Sequence, residues 1–410
     1  MTDTNDRVLI TVTGRDRAGI TATLTGILSE QDATLHDIEQ VVVQGQLTLC
    51  LLVGLPHARD VLKELLFAAK ELGMELDFMP VTSAPAPAPG GGGGGGGGSG
   101  PGDAGRRYVI TAIGRSLGAN HLHALAKALA DEGANIEKIS RLSEGALASV
   151  EIHALLPSGR DREVLKRSLL AVATQEGFDV SLQRESLYRR SKRMVVMDMD
   201  STLIRIEVID ELARAAGVGE AVAKITERAM QGEMDYDESL RQRVALLAGL
   251  DVKVLDKIAN DLPLTEGAET LIRVLKRLGY RTAVISGGFS RAAEALKRRL
   301  GIDYAFSNNL EIEGGKLTGR VVGPIVNAQR KAELLELIAQ LEGVLLDQVI
   351  AVGDGANDVL MLEKAGLGIA FRAKTKLREA ADTTISASGL DAILYLLGIS
   401  GRELQEIDTG

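Results

Sequence analysis

The chain has 410 residues, more than one core usually organises, so two or more domains are expected. A hydrophobic share of 45% is too high for a wholly disordered chain, and the single cysteine, Cys50, excludes a disulfide framework or a multi-cysteine zinc site. A net charge of −9, no Trp and 3% aromatics argue against nucleic acid as a partner. No apolar run approaches the ~20 residues of a membrane span, and the polar segment Met1–Asp6 is no secretory signal, so a cytoplasmic location is expected.

In chain order, the first segment predicts strand 7–13, helix 19–31, strands 34–43 and 46–55, helix 59–72 and strand 74–82. Gln44-Gly45 supplies the turn between the middle strands. Cys50, in the apolar strand Leu47–Val53, reads as a core residue. Next comes a tract with nine consecutive glycines, Gly90–Gly98, which reads as a flexible linker over 84–105. Beyond it the pattern repeats: Arg7-Val8-Leu9-Ile10-Thr11-Val12-Thr13-Gly14-Arg15 aligns with Arg107-Tyr108-Val109-Ile110-Thr111-Ala112-Ile113-Gly114-Arg115. Two copies of one βαββαβ domain, over 5–83 and 106–186, are therefore expected, each a four-stranded antiparallel sheet with both helices on one face. The glycine tract then joins two copies of one module, and the short basic run Arg189–Arg193 joins the second copy to the C-terminal half of the chain.

From residue 191 to 400 strands alternate with helices. Strands are predicted at 194–198, 280–286, 303–307, 348–353, 367–371 and 382–386. Apolar runs such as Val349–Val352 suit parallel strands buried on both faces, which predicts a doubly wound α/β domain. A helical insertion at about 206–262 would sit over the carboxyl edge of that sheet as a cap.

Polar residues end three of these strands: Asp198-Met199-Asp200-Ser201-Thr202, Ser286-Gly287-Gly288 and Gly353-Asp354-Gly355-Ala356-Asn357-Asp358. Lys331 starts a helix between the last two. Three carboxylates at one edge (Asp198, Asp200, Asp354) suit a divalent cation, and an all-oxygen ligand set selects magnesium. Ser286, the Gly287 backbone N–H and Lys331 suit phosphate oxygens. A carboxylate beside them is a nucleophile for an aspartyl phosphate, and a second one can act as general acid and base. Each motif alone reads as a turn, a helix cap or a solvated lysine; all four in this order read as a phosphotransfer site.

The set resembles the haloacid dehalogenase superfamily, and within it the phosphoserine phosphatase family. Asp198 through Glu207, the helix Ser239–Val244 and Val284–Phe289 carry that closer likeness. The resemblance implies Asp198 as nucleophile and Asp200 as general acid/base, with Mg2+ on Asp198, Asp354 and the Asp200 main-chain carbonyl. Asp358 would steady Asp354 from behind. Ser286, Gly287 and Lys331 would hold the phosphate, Glu207 the substrate ammonium, Arg243 its carboxylate, and Asn357 would add a contact. For Glu207 and Arg243 the alternative is a surface acid at a helix start and a surface ion pair. The implied activity is hydrolysis of O-phospho-L-serine, the last step of serine biosynthesis. Transfer to another alcohol such as homoserine, or a non-catalytic amino-acid sensor, are the alternatives.

The two repeated domains resemble the ACT domain, an amino-acid-sensing module. In the first copy the loop Gly14–Ile20 is either a ligand site, with Asp16, Arg17 and Gly19 as contacts, or a plain turn and helix cap. The second copy lacks the Asp-Arg-Ala-Gly of that loop. Feedback by L-serine and pairing into a homodimer are what this resemblance implies.

Overall fold

In the computed structural model the described residues are 6–17, 19–31, 33–55, 58–81, 105–144, 147–373, 377–378, 381–386 and 388–409. The linker expected over 84–105 lies outside them except for Gly105. The chain divides into two compact units, Met1–Ser99 and Gly100–Gly410.

The first unit runs β1 (Asp6–Arg15), α1 (Ile20–Glu30), β2 (Thr34–Val43), β3 (Gln46–Leu55), α2 (Ala58–Glu71) and β4 (Glu75–Val81). Its antiparallel sheet has the order β2-β3-β1-β4. Gln44 and Gly45 both have positive φ, 51° and 74°, the geometry a two-residue hairpin needs to match strand twist. Alternation along β3 sends Leu47, Leu49, Leu51 and Val53 into the core against Ile20, Leu24 and Leu65. Cys50 falls on the other face and is partly exposed, so the core reading is corrected by strand parity.

The second unit opens with the repeat: β5 (Arg106–Gly114), α3 (Ala119–Asp131), β6 (Asn135–Glu144), β7 (Ala148–Leu156), α4 (Arg162–Glu176) and β8 (Asp179–Arg184). Its strand order β6-β7-β5-β8 is that of the first copy, element for element. Then come β9 (Met194–Met197), four cap helices α5 (Val208–Ala215), α6 (Gly219–Met230), α7 (Tyr236–Ala245) and α8 (Val252–Asn260), and α9 (Ala268–Arg277). The remainder is β10 (Arg281–Phe289), α10 (Ser290–Leu300), β11 (Tyr304–Glu313), β12 (Lys316–Val322), α11 (Ala328–Leu341), β13 (Val349–Gly353), α12 (Val359–Lys364), β14 (Leu367–Phe371), β15 (Thr383–Ile385), α13 (Ala392–Leu396) and α14 (Gly401–Thr409). The parallel strands β11-β10-β9-β13-β14-β15 give the doubly wound order, with the topological switch at β9. Hairpin strand β12 extends β11 beyond the predicted strand; the turn residues Gly314-Gly315 were its signal.

One sheet runs through the whole second unit. β8 of the repeat pairs antiparallel with β15 at Ser181 and Thr383, whose hydroxyls meet at 2.6 Å. The eleven-stranded order is therefore β12-β11-β10-β9-β13-β14-β15-β8-β5-β7-β6. Lys166 of α4 donates to the Ala381 carbonyl, Ser386 N–H to Asp179, and Gln183 to the Leu396 carbonyl. The basic run is also no free connector: Arg189 is buried against Glu151, and the buried Lys192 donates to the Asp347 carbonyl. Among the described residues no helix is long and apolar enough to cross a membrane.

Candidate active site

The site forms where β9, β10 and β13 end, beneath the cap helices. Asp198 N–H still donates to the Val352 carbonyl (2.9 Å), so the strand register delivers Asp198 to the sheet edge. The chain then turns sharply through Ser201, at φ 57°. That turn brings the start of α5 back toward the edge, where the Asp200 carboxylate accepts from Val208 N–H (3.0 Å) and from Ser286 Oγ (3.2 Å). Ser286 Oγ in turn accepts from Gly288 N–H (2.8 Å). The glycines at 287 and 288 leave room for the site: a Cβ would displace the Tyr236 hydroxyl at one and the Asp200 carboxylate at the other.

Lys331 projects from the first turn of α11, which Asn327 caps by accepting Arg330 N–H (3.0 Å). The lysine is fully buried, with Nζ 2.9 Å from Asp198 and 2.7 Å from Asp358. Asp358 Oδ2 accepts from the N–H groups of Asp354 (3.2 Å) and Gly355 (3.1 Å). Carboxylate oxygens of Asp198, Asp354 and Asp358 lie within 4.8 Å of one another. Above them a cavity of about 730 Å³ is lined by Asp198, Asp200, Gly287, Asp354 and Asn357 from the sheet edge, and by Glu207 and Arg243 from the cap. Glu207 accepts from Ser201 Oγ (2.7 Å), and Arg243 Nε donates to the Ser239 carbonyl (3.3 Å). Ser286, Lys331 and Asp358 stand buried behind that wall. Asp16, Arg17 and Gly19 lie in the other unit, at the start of α1, with Gly19 at φ 95°.

The segment 192–366 matches the haloacid dehalogenase-like hydrolase family, and 6–79 and 107–183 each match the ACT domain. A phosphoserine phosphatase of Streptomyces coelicolor is 43% identical over 98% of this chain and 94% of its own length. One from Mycobacterium tuberculosis is 42% identical over 98% of this chain and 96% of its own. The chain belongs to the phosphoserine phosphatase family. Among solved structures, a probable phosphoserine phosphatase from Vibrio cholerae, in unliganded form, is similar over 73% of this chain and 89% of its own, with 35% identity and a TM-score of 0.58. A HAD family hydrolase of Salmonella enterica serovar Typhi covers 71% of this chain and is itself covered over 98%, with 31% identity and a TM-score of 0.63.

In this member of the phosphoserine phosphatase family, negative charge outweighs positive at the sheet edge. Burial, then the neighbouring Asp358 charge, holds Asp198 well above the usual carboxylate range despite Lys331. Burial, then the Glu207 charge, pushes Asp200 up to about 7 against the bonds from Val208 and Ser286. Burial pulls the Lys331 amine down, but Asp198 and Asp358 outweigh it and keep the amine charged. Both members of the Lys331–Asp198 pair are thus raised, because one ammonium faces several buried carboxylates. A divalent cation would relieve that imbalance, and the all-oxygen donor set suits a hard one.

Tyr236, Asn308 and Asn327 also shape the site, and the sequence motifs do not include them. Asn308 and Tyr236 both donate to the Gly287 carbonyl, at 2.8 and 3.1 Å. Two of them carry a local signal, Asn327 as the cap residue before a helix and Tyr236 as the residue after the cap residue Asp235, while Asn308 lies just past the predicted end of its strand and carries none.

Proposed function

We propose that this enzyme hydrolyses O-phospho-L-serine to L-serine and phosphate, with magnesium, through an aspartyl phosphate on Asp198. The carrying observation is a cavity in which carboxylates of the cluster below face Glu207 and Arg243 above. A phosphorylated amino acid has a phosphate for the lower face, an ammonium for Glu207 and a carboxylate for Arg243.

Asp198 attacks phosphorus as the bond to the serine oxygen breaks, and Asp200, poised near neutrality, gives its proton to that departing oxygen. A water then attacks the aspartyl phosphate, Asp200 takes its proton, and phosphate leaves with the Asp198 carboxylate restored. Lys331 neutralises charge beside Asp198, while Ser286 and the Gly287 backbone orient phosphate oxygens. Asp198, Asp354 and the Asp200 main-chain carbonyl would hold magnesium, with Asp358, which lies in the same carboxylate cluster, steadying Asp354, and the cation would supply charge neutralisation there. Asn357, on the cavity wall, adds a substrate contact.

The test is a phosphate-release screen over phosphorylated amino acids, with and without magnesium. Phosphoserine preferred, one free phosphate per serine formed and loss on chelation are expected. Release from none of them would overturn the reading, and less than one phosphate per serine would favour transfer to another alcohol.

The ACT domains support regulation by an amino acid. L-serine is the proposed effector, at the exposed loop of Asp16, Arg17 and Gly19, and the enzyme is proposed to act in the cytoplasm. Pairing into a homodimer or larger homo-oligomer is supported by β2, an open edge strand that exposes Leu35, Ile38, Val41, Val42 and Val43. Calorimetry of L-serine on the full chain and on Asp16→Ala tests the site; equal heats from both would exclude it.

A further inference from the structure

The cap touches the phosphate-holding elements through two adjacent residues at the start of α7. The Tyr236 hydroxyl donates to the Gly287 carbonyl (3.1 Å), and Asp237 Oδ1 accepts from Asn327 Nδ2 (3.1 Å). The two contacts belong to one ring. The Gly287 carbonyl also accepts from Asn308 Nδ2 (2.8 Å), Asn308 Oδ1 accepts from Val326 N–H (2.8 Å), and Asn327 is the next residue. From there the ring returns through Asp237 to Tyr236.

Each arm ends on a residue to which the mechanism proposed above gives the phosphate. The Gly287 carbonyl shares its peptide plane with Gly288 N–H, which donates to Ser286 Oγ, and Ser286 donates to Asp200. Tyr236 therefore holds one end of the peptide whose other end fixes Ser286. Asn327 caps α11, so Asp237 grips the helix turn that carries Lys331. Burial pushes the Tyr236 phenol up to about 12, so the hydroxyl keeps its proton and can only donate to a carbonyl.

We propose that Tyr236 and Asp237 are positioning residues that set the phosphate-binding turn at Ser286–Gly288 and the Lys331 helix in place only when the cap is seated. Polar chains of this kind act as a unit, so an unseated cap leaves the phosphate site loosened, and chemistry waits for closure. The inference rests on the phosphatase reading above.

The test uses the full chain with magnesium, and inorganic phosphate as the probe. Tyr236→Phe keeps the ring and removes one hydrogen bond. Phosphate binding should weaken by about two- to tenfold, the worth of one such bond. With phosphoserine, kcat should fall by a similar factor with KM less affected. Asp237→Ala should act in the same direction, and Asp237→Asn, which keeps an acceptor oxygen, should restore most of the loss.

Unchanged phosphate binding in Tyr236→Phe would overturn the proposal, as would weaker phosphoserine binding with phosphate binding intact, since the hydroxyl would then serve the amino-acid end. Asp237→Asn as impaired as Asp237→Ala would remove the Asn327 arm. A wild type that binds phosphate but releases none from phosphoserine would sink the phosphatase reading while leaving this comparison intact.

Discussion

The Lys331 ammonium lies 2.9 Å from the Asp198 carboxylate, with side-chain exposures of 0% and 5%. A buried pair of this kind is costly to break, because Asp198 and the neighbouring Asp358 would lose the ammonium that offsets them both. Lys331→Met should destabilise the metal-free protein by about 3–5 kcal/mol, read as a lower urea midpoint. Asp198→Asn removes a carboxylate from a site with an excess of them, so it should keep the fold and lose turnover. Full activity in that variant would sink the nucleophile assignment.

Asp200 gives stability a pH dependence of known sign. The unfolded chain releases this proton near 3.8, while the folded protein holds it to about 7. Between those values the folded state binds more protons, so this group's contribution to stability falls as pH rises, by up to ~1.4 kcal/mol per unit. Asp200→Asn cannot ionise. In chelator, its stability relative to wild type should climb from pH 4 to pH 7 and then level off; a flat difference would contradict the buried acid. The same variant should lose about 10²–10⁴-fold in turnover.

Magnesium should stabilise the folded enzyme, since the unfolded chain cannot gather Asp198, Asp354 and Asp358. At a hundred times its dissociation constant the gain is about 2.7 kcal/mol, visible as a higher melting temperature. Asp354→Asn should remove most of that shift. A shift of equal size in the variant would place the cation elsewhere.

The shared sheet predicts that residues 106–410 unfold as one unit. Calorimetry on that fragment should show a single transition, and two separated ones would show that the β8–β15 seam is weak. Lys166→Met strands the Ala381 carbonyl that the buried amine now serves, at a cost of about 1–3 kcal/mol.

Much of this protein is written locally. Alternation in β3, the Gln44-Gly45 turn and the repeat at Arg7 and Arg107 disclose the ACT copies, because a two-residue period and a positive-φ turn are decided by near neighbours. The carboxylates were legible for a related reason: polar residues closing apolar strands must gather at one sheet edge. Contacts between distant residues are decided otherwise. Ser181 meets Thr383 across 202 positions and Tyr236 meets Gly287 across 51, and neither partner carries a mark of the other. The strand order brings them together, so tertiary structure alone decided that the second ACT copy continues the catalytic sheet. It likewise decided that Arg189, within the basic junction, is a buried ion-pair partner of Glu151. By itself the sequence determined which carboxylates, glycines and lysine close the strands and start the helix at the sheet edge; the tertiary structure decided what holds that edge in place, because packing selects partners that spacing along a chain does not encode.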